Sequence, residues 1–84
     1  DRDHRIYEIP TSAITLEGKK IRDVPRMKQT IIIDLKRHGE SVIPDPDIRL
    51  QADDFLYILT AGKNAAALKQ LGEEPAPVKR GRKA

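Results

Sequence analysis

Phe55-Leu56-Tyr57-Ile58-Leu59 is apolar at every position, in a chain of only 84 residues. A strand with one wet face alternates apolar and polar residues; one without alternation needs cover on both sides. This segment is therefore expected as the central strand, with the rest of the chain built around it. A second run, Thr30-Ile31-Ile32-Ile33-Asp34-Leu35-Lys36, is rich in β-branched residues and is the strongest strand candidate in the chain. Period two puts Ile31, Ile33 and Leu35 on one face, expected as core, and Thr30, Ile32, Asp34 and Lys36 on the other. Ile32 then stands among polar neighbours and is expected to meet a helix or a second subunit.

Shorter signals fill in the order. Arg5-Ile6-Tyr7-Glu8-Ile9 alternates and is ended by Pro10, which reads as a strand. Thr11, Ser12 and Thr15 offer helix caps, and Ile21 and Val24 at i, i+3 give a short helical face closed by Pro25. Arg37-His38-Gly39-Glu40 predicts a hairpin, with Gly39 supplying positive φ and Ser41-Val42-Ile43-Pro44 returning. Pro44-Asp45-Pro46-Asp47 and Gln51-Ala52-Asp53-Asp54 are turns, with Ile48 and Leu50 alternating between them as a short strand. Thr60 is placed to cap a helix from Gly62 to Leu71, buried through Ala65, Leu68 and Leu71 and stopped at Gly72. The order strand, helix, strand, hairpin, strand, helix predicts a small α+β domain.

Composition sets what such a domain can do alone. Hydrophobic residues make up 38% and charged residues 35%, so the core is small and gains from a partner surface. The net charge of +3 is not spread over the chain. Lys79, Arg80, Arg82 and Lys83 are basic and residues 75–84 hold no acid, which leaves 12 basic against 13 acidic residues in 1–74. A domain-wide basic face for DNA is thereby excluded, and a nucleic-acid role would have to use the tail. The expectation is a folded unit over 5–72 followed by a disordered, solubilising basic tail over 73–84. The charged opening Asp1-Arg2-Asp3-His4-Arg5 is unlike a secretory leader, and no apolar run nears the roughly 20 residues that cross a bilayer. A cytoplasmic domain, cut from something larger, is expected.

Catalysis has little to work with. There is no Cys, which removes thiolate zinc sites and cysteine nucleophiles. No G-x-S-x-G elbow and no Gly-rich phosphate loop occurs. No catalytic residue and no metal ligand is assigned: Asp45, Asp47, Asp53 and Asp54 are read as turn residues rather than cation ligands, and His38 as a solvated hairpin tip. Arg22, Arg26, Lys28 and Arg37 bracket the second strand, where basic groups beside apolar surface can hold an anion; by charge count alone a solvated face is the better explanation.

The punctuation of the chain adds a resemblance. Leu16-Glu17-Gly18-Lys19-Lys20-Ile21-Arg22-Asp23-Val24, then Lys36-Arg37-His38-Gly39-Glu40, then Ile43-Pro44-Asp45-Pro46-Asp47 and Leu50-Gln51-Ala52-Asp53-Asp54 follow one another as in the RCK C-terminal, or TrkA-C, domain. The stretch Met27-Lys28-Gln29-Thr30 departs from it, since an aromatic-Gly pair is common there, and Asp34 replaces a common small residue, which argues for a polar outer face. The resemblance implies an α+β domain that forms a homodimer and serves a potassium channel, potassium transporter or cation/proton antiporter, in the same chain or as a partner subunit. It also implies a small ligand near the dimer interface, a cyclic dinucleotide in some members and a divalent cation in others. Carried over by segment, the ligand-binding residues are Arg26, Lys28, Gln29, Ile32 and Pro44. Arg26 and Lys28 would neutralise an anion, Gln29 would hydrogen-bond it, and Ile32 and Pro44 would wall it. Two alternatives stand beside this reading: a structural dimerisation domain with no ligand, and a nucleic-acid module acting through the basic tail.

Overall fold

The computed structural model describes residues 3–14, 16–25 and 28–72. Four strands, β1 (His4–Pro10), β2 (Thr30–Arg37), β3 (Glu40–Val42) and β4 (Phe55–Ala61), form one antiparallel sheet in the order β1-β4-β2-β3. β4 lies inside the sheet, as its unbroken apolar sequence requires. It pairs over its whole length with β1, from His4↔Ala61 to Pro10↔Phe55. Tyr7, Ile9, Leu56 and Ile58 are buried on one sheet face, and Ile21, Val24, Leu50 and Leu68 cover it.

β2 departs from simple alternation. Ile31 pairs with Leu59 and Ile32 with Ile58, but Asp34 pairs with Tyr57, so the register shifts between Ile32 and Asp34. A bulge of this kind leaves one residue without a cross-strand partner and changes which later residues face the core. The expected core trio is thereby corrected. Ile32 and Leu35 are the buried residues, 9% and 0% exposed, whereas Ile31 and Ile33 are 53% and 42% exposed. Ile32 packs in the core rather than standing on a polar face.

The hairpin turns tightly. Arg37 pairs with Glu40, and both central residues have positive φ, 53° at His38 as well as 81° at Gly39. That is the requirement of a type I′ turn. The first connection holds two 3-10 turns, Thr11–Ile14 and Ile21–Asp23, the second burying Ile21. The expected strand around Ile48 and Leu50 is reduced to a Lys20↔Arg49 bridge. Backbone hydrogen bonds extend it into a strap: Gly18 N to Leu50 O, Leu50 N to Lys19 O, Ile21 N to Ile48 O and Arg22 N to Pro46 O, all 2.8–3.0 Å.

The last helix is shorter than its sequence pattern. A 3-10 turn over Gly62–Asn64 leads into α1 (Ala65–Lys69). Thr60 caps neither, because it belongs to β4: Ala61 takes the cap position of the 3-10 turn and Asn64 that of α1, each without a side-chain cap bond. The Thr60 hydroxyl instead meets Thr30 Oγ1 at 2.9 Å and accepts from Asn64 Nδ2 at 2.9 Å. Thr11 likewise uses its hydroxyl elsewhere, on the Asp54 carbonyl at 2.8 Å. Gly72 follows α1 as expected, yet for another reason: a Cβ there would lie 2.2 Å from the Glu8 carbonyl oxygen. The expected basic tail, the Thr15 cap and Arg26 lie outside the described residues.

Candidate functional site

The strap carries the site. By holding Ile21 to Ile48 and Arg22 to Pro46, it sets two loop segments side by side over the core end of β2. Between them opens a cleft of about 330 Å³ lined by Ile21, Arg22, Ile32, Pro44 and Pro46. Ile21 and Ile32 form its floor and are buried in the core. Two prolines, with no amide hydrogen and fixed φ, make a stiff wall.

Arg22 brings the charge to this cleft. Its Nε donates to Asp47 Oδ1 at 3.1 Å, and Nη2 bonds the same oxygen. Lys20 Nζ lies 3.9 Å from that oxygen as well. The Arg22 hydrogen bond, then its charge, holds the Asp47 carboxyl below the ordinary range, and Asp47 in turn raises Arg22. Both groups face solvent, so the pair is exchangeable, and a bound anion can compete with Asp47 for the guanidinium.

The residues singled out in the sequence divide between two faces. Ile32 and Pro44 share the cleft. Gln29 instead lines a separate hollow of about 290 Å³ with His4, Ile31, Leu59, Thr60 and Ala61 on the other side of the sheet. Gln29 has φ 60°, and its carbonyl accepts from Ala61 N at 3.1 Å. Lys28 is exposed, with its carbonyl held by Asn64 Nδ2 at 3.0 Å. Ile21, Arg22 and Pro46 complete the cleft without having been singled out as ligand residues. Ile21 had its i, i+3 partner Val24 and Pro46 its turn, so each had a sufficient structural role. Arg22 was legible only as one of four bracketing cations.

Arg37, another of those cations, is fully engaged by Asp54, with Nε to Oδ1 at 2.9 Å and Nη2 to Oδ2 at 2.8 Å. The turn acids do not converge: Asp54 holds Arg37, Asp47 holds Arg22, and Asp53 lies 3.7 Å from the exposed His38. Among the described residues no group of three or more His, Asp or Glu is placed to hold a metal.

Residues 4–71 match the TrkA-C domain family. The chain is a member of that family. A solved structure described as "Structure of RCK domain with cda" is similar to this TrkA-C domain, with 29% sequence identity and a TM-score of 0.65, covering 82% of this chain and 99% of its own. No curated protein matches the chain. TrkA-C and RCK domains are regulatory parts of potassium transport systems, associate with transporters or channels, and generally form dimers. Among the described residues no helix is long and apolar enough to cross a membrane.

Proposed function

We propose that this TrkA-C domain senses a small anionic ligand and, as a dimer on the cytoplasmic side of the membrane, gates a prokaryotic potassium or cation transporter, channel or cation/proton antiporter. The observation that carries the reading is the cleft of Ile21, Arg22, Ile32, Pro44 and Pro46, an apolar floor with one exchangeable guanidinium at its rim. A flat, partly aromatic anion such as a cyclic dinucleotide matches that chemistry: its bases lie on Ile21 and the prolines, and its phosphate takes Arg22 from Asp47. Lys28, next to Gln29 and outside the lining of the cleft, is left out of the site. Gln29 belongs to the opposite hollow and is left out of the site. A second copy across the cleft would share the ligand.

Such a ligand shifts an equilibrium between two arrangements only by its difference in affinity for them. No bond is made or broken in this mechanism, so it is regulation without catalysis. Melting the domain with cyclic dinucleotides, ATP, ADP, Ca²⁺ and Mg²⁺ in turn tests it. A ligand at 100 times its Kd adds about 2.7 kcal/mol, which for a domain this size raises the Tm by roughly 10 °C or more. Arg22→Ala and Pro44→Ala are expected to remove that rise. No rise with any probe, or a rise that both variants keep, overturns the reading and leaves a purely structural dimerisation domain.

A further inference from the structure

β2 holds three consecutive isoleucines, Ile31, Ile32 and Ile33, and only Ile32 is buried. A one-residue slip of this stretch would bury Ile31 and Ile33 instead, exchanging like for like, so apolar burial does not decide the register. Strict alternation back from Leu35 even favours the slip. Ile33 would then pair with Ile58 and Ile32 with Leu59, and no residue would be left over. The observed strand instead pairs Ile32 with Ile58 and Asp34 with Tyr57, leaving Ile33 over. Something other than apolar burial holds the bulge.

Two polar contacts do so. At the start of the strand Thr30 pairs with Thr60, their hydroxyls 2.9 Å apart, and Asn64 Nδ2 donates to the Thr60 hydroxyl at 2.9 Å. The slip would set Ile31 opposite Thr60 and separate the hydroxyls. At the bulge itself, Asp34 Oδ1 accepts the Leu35 amide at 2.8 Å and Oδ2 accepts the Ser41 hydroxyl at 2.9 Å. A side chain that bonds the next backbone amide competes with a regular ladder and fits the local kink of a bulge. The Ser41 contact ties the same carboxylate to β3, which pairs with β2 beyond the bulge. We infer that Asp34 is a positioning residue of the cleft: its carboxylate holds the bulge at Ile33, and the bulge keeps Ile32 in the cleft floor.

The cleft depends on this register because Ile32 lines it with Ile21 and Pro44, whereas Asp34 does not line it. Asp34 therefore acts through the backbone and not by touching a ligand. Losing the bulge straightens β2 and brings a different residue to the floor from a different backbone position. The register is observable without any ligand, whereas the effect on binding rests on the cleft reading.

Cross-strand NOEs of the full chain read the register, and circular dichroism checks that each variant is folded. Wild type and Thr30→Val are expected to show Ile32 opposite Ile58. Thr30→Val with Asp34→Ala, which lacks both contacts, is expected to show Ile33 opposite Ile58 instead. Removing two hydrogen bonds to a carboxylate shifts the register equilibrium by at least about tenfold. Asp34→Asn in the same background keeps an acceptor for the Leu35 amide and is expected to restore the bulged register. Deletion of Ile33 removes the extra residue and keeps Ile32 opposite Ile58, so in that chain Asp34→Ala is expected to leave the register unchanged. For a cyclic dinucleotide the apparent Kd is expected to rise by the factor by which the bulged fraction falls. A double variant that keeps Ile32 opposite Ile58, one that slips with an unchanged Kd, or an Asn variant that stays slipped overturns the inference. If the double variant does not fold, melts decide. Asp34→Ala is expected to lower the Tm of the wild type by more than that of the deletion, and equal losses overturn the inference. A wild type that binds no cyclic dinucleotide overturns the cleft reading instead, and the NOEs still decide the role of Asp34.

Discussion

Arg37 closes on Asp54 with two parallel hydrogen bonds, Nε to Oδ1 at 2.9 Å and Nη2 to Oδ2 at 2.8 Å. The Asp54 side chain is fully buried. Its Oδ2 also accepts the Gln51 amide at 2.8 Å, and its carbonyl accepts Thr11 N and Oγ1. One acid thus joins the end of β2, the turn before β4 and the end of β1. Removing the arginine leaves a buried carboxylate unpaired, which costs about 3–5 kcal/mol. Arg37→Ala is expected to lose most of the stability of so small a domain, as read by urea unfolding.

The same pair sets the acid limb. Burial pushes the Asp54 carboxyl up, but the Arg37 and Gln51 hydrogen bonds outweigh it and hold it below the ordinary range. A carboxyl lowered in the folded state contributes stability above its unfolded pKa of about 4, and that contribution is lost as pH falls through the folded value. Melts from neutral pH downward are expected to hold until about pH 4 and then drop. Asp54→Asn, less stable at neutral pH, is expected to show a shallower drop.

Tyr57 titrates in the opposite sense. Burial first, then the hydrogen bond to Glu8 and the Glu8 charge, push its phenol up to about 12. A phenol raised in the folded state gives stability that is full below about pH 10 and lost as pH rises toward the folded value. Absorbance titration of the phenolate is expected to find one tyrosine near that value. Glu8→Gln is expected to bring it part of the way back, since burial remains.

Tyr7 is wholly buried, and among the described residues its hydroxyl finds no hydrogen-bond partner. An unpaired buried hydroxyl costs about 1–3 kcal/mol in desolvation. Tyr7→Phe is therefore expected to be neutral or to raise the Tm, the reverse of a usual core substitution. A loss of stability would show that the hydroxyl has a partner.

Gly72 sits so close to β1 that a Cβ would overlap the Glu8 carbonyl oxygen and press on Ile9. Neither contact is a flexible side-chain end, so the chain after α1 must move away. Gly72→Ala is expected to cost about 1–3 kcal/mol, on the scale of overpacking. Gly18→Ala, with open space but φ +86°, is expected to cost less.

Much of the fold was legible in the sequence because it rests on local patterns. The apolar run of β4 and the His38-Gly39 hairpin each follow from a few adjacent residues, whereas the last helix ends at Lys69, short of the expected Leu71. The β2 face was not legible, since the bulge between Ile32 and Asp34 arises from pairing with β4 rather than from β2 alone. Thr60 has the composition of a cap, but its hydroxyl found Thr30 across the sheet and the Asn64 amide four residues on. At the candidate site, Pro44 and Ile32 were within reach of a segment-level reading. Ile21, Arg22 and Pro46 depended on a backbone strap that spacing does not reveal.

The most direct test of the cleft is a two-dimensional amide NMR titration of the chain with a cyclic dinucleotide. The account predicts saturable shifts centred on Ile21, Arg22, Ile32, Asp45 and Asp47, with Gln29 and Leu59 unmoved. Shifts centred instead on Gln29, Ile31 and Leu59, or none at millimolar ligand, would contradict it.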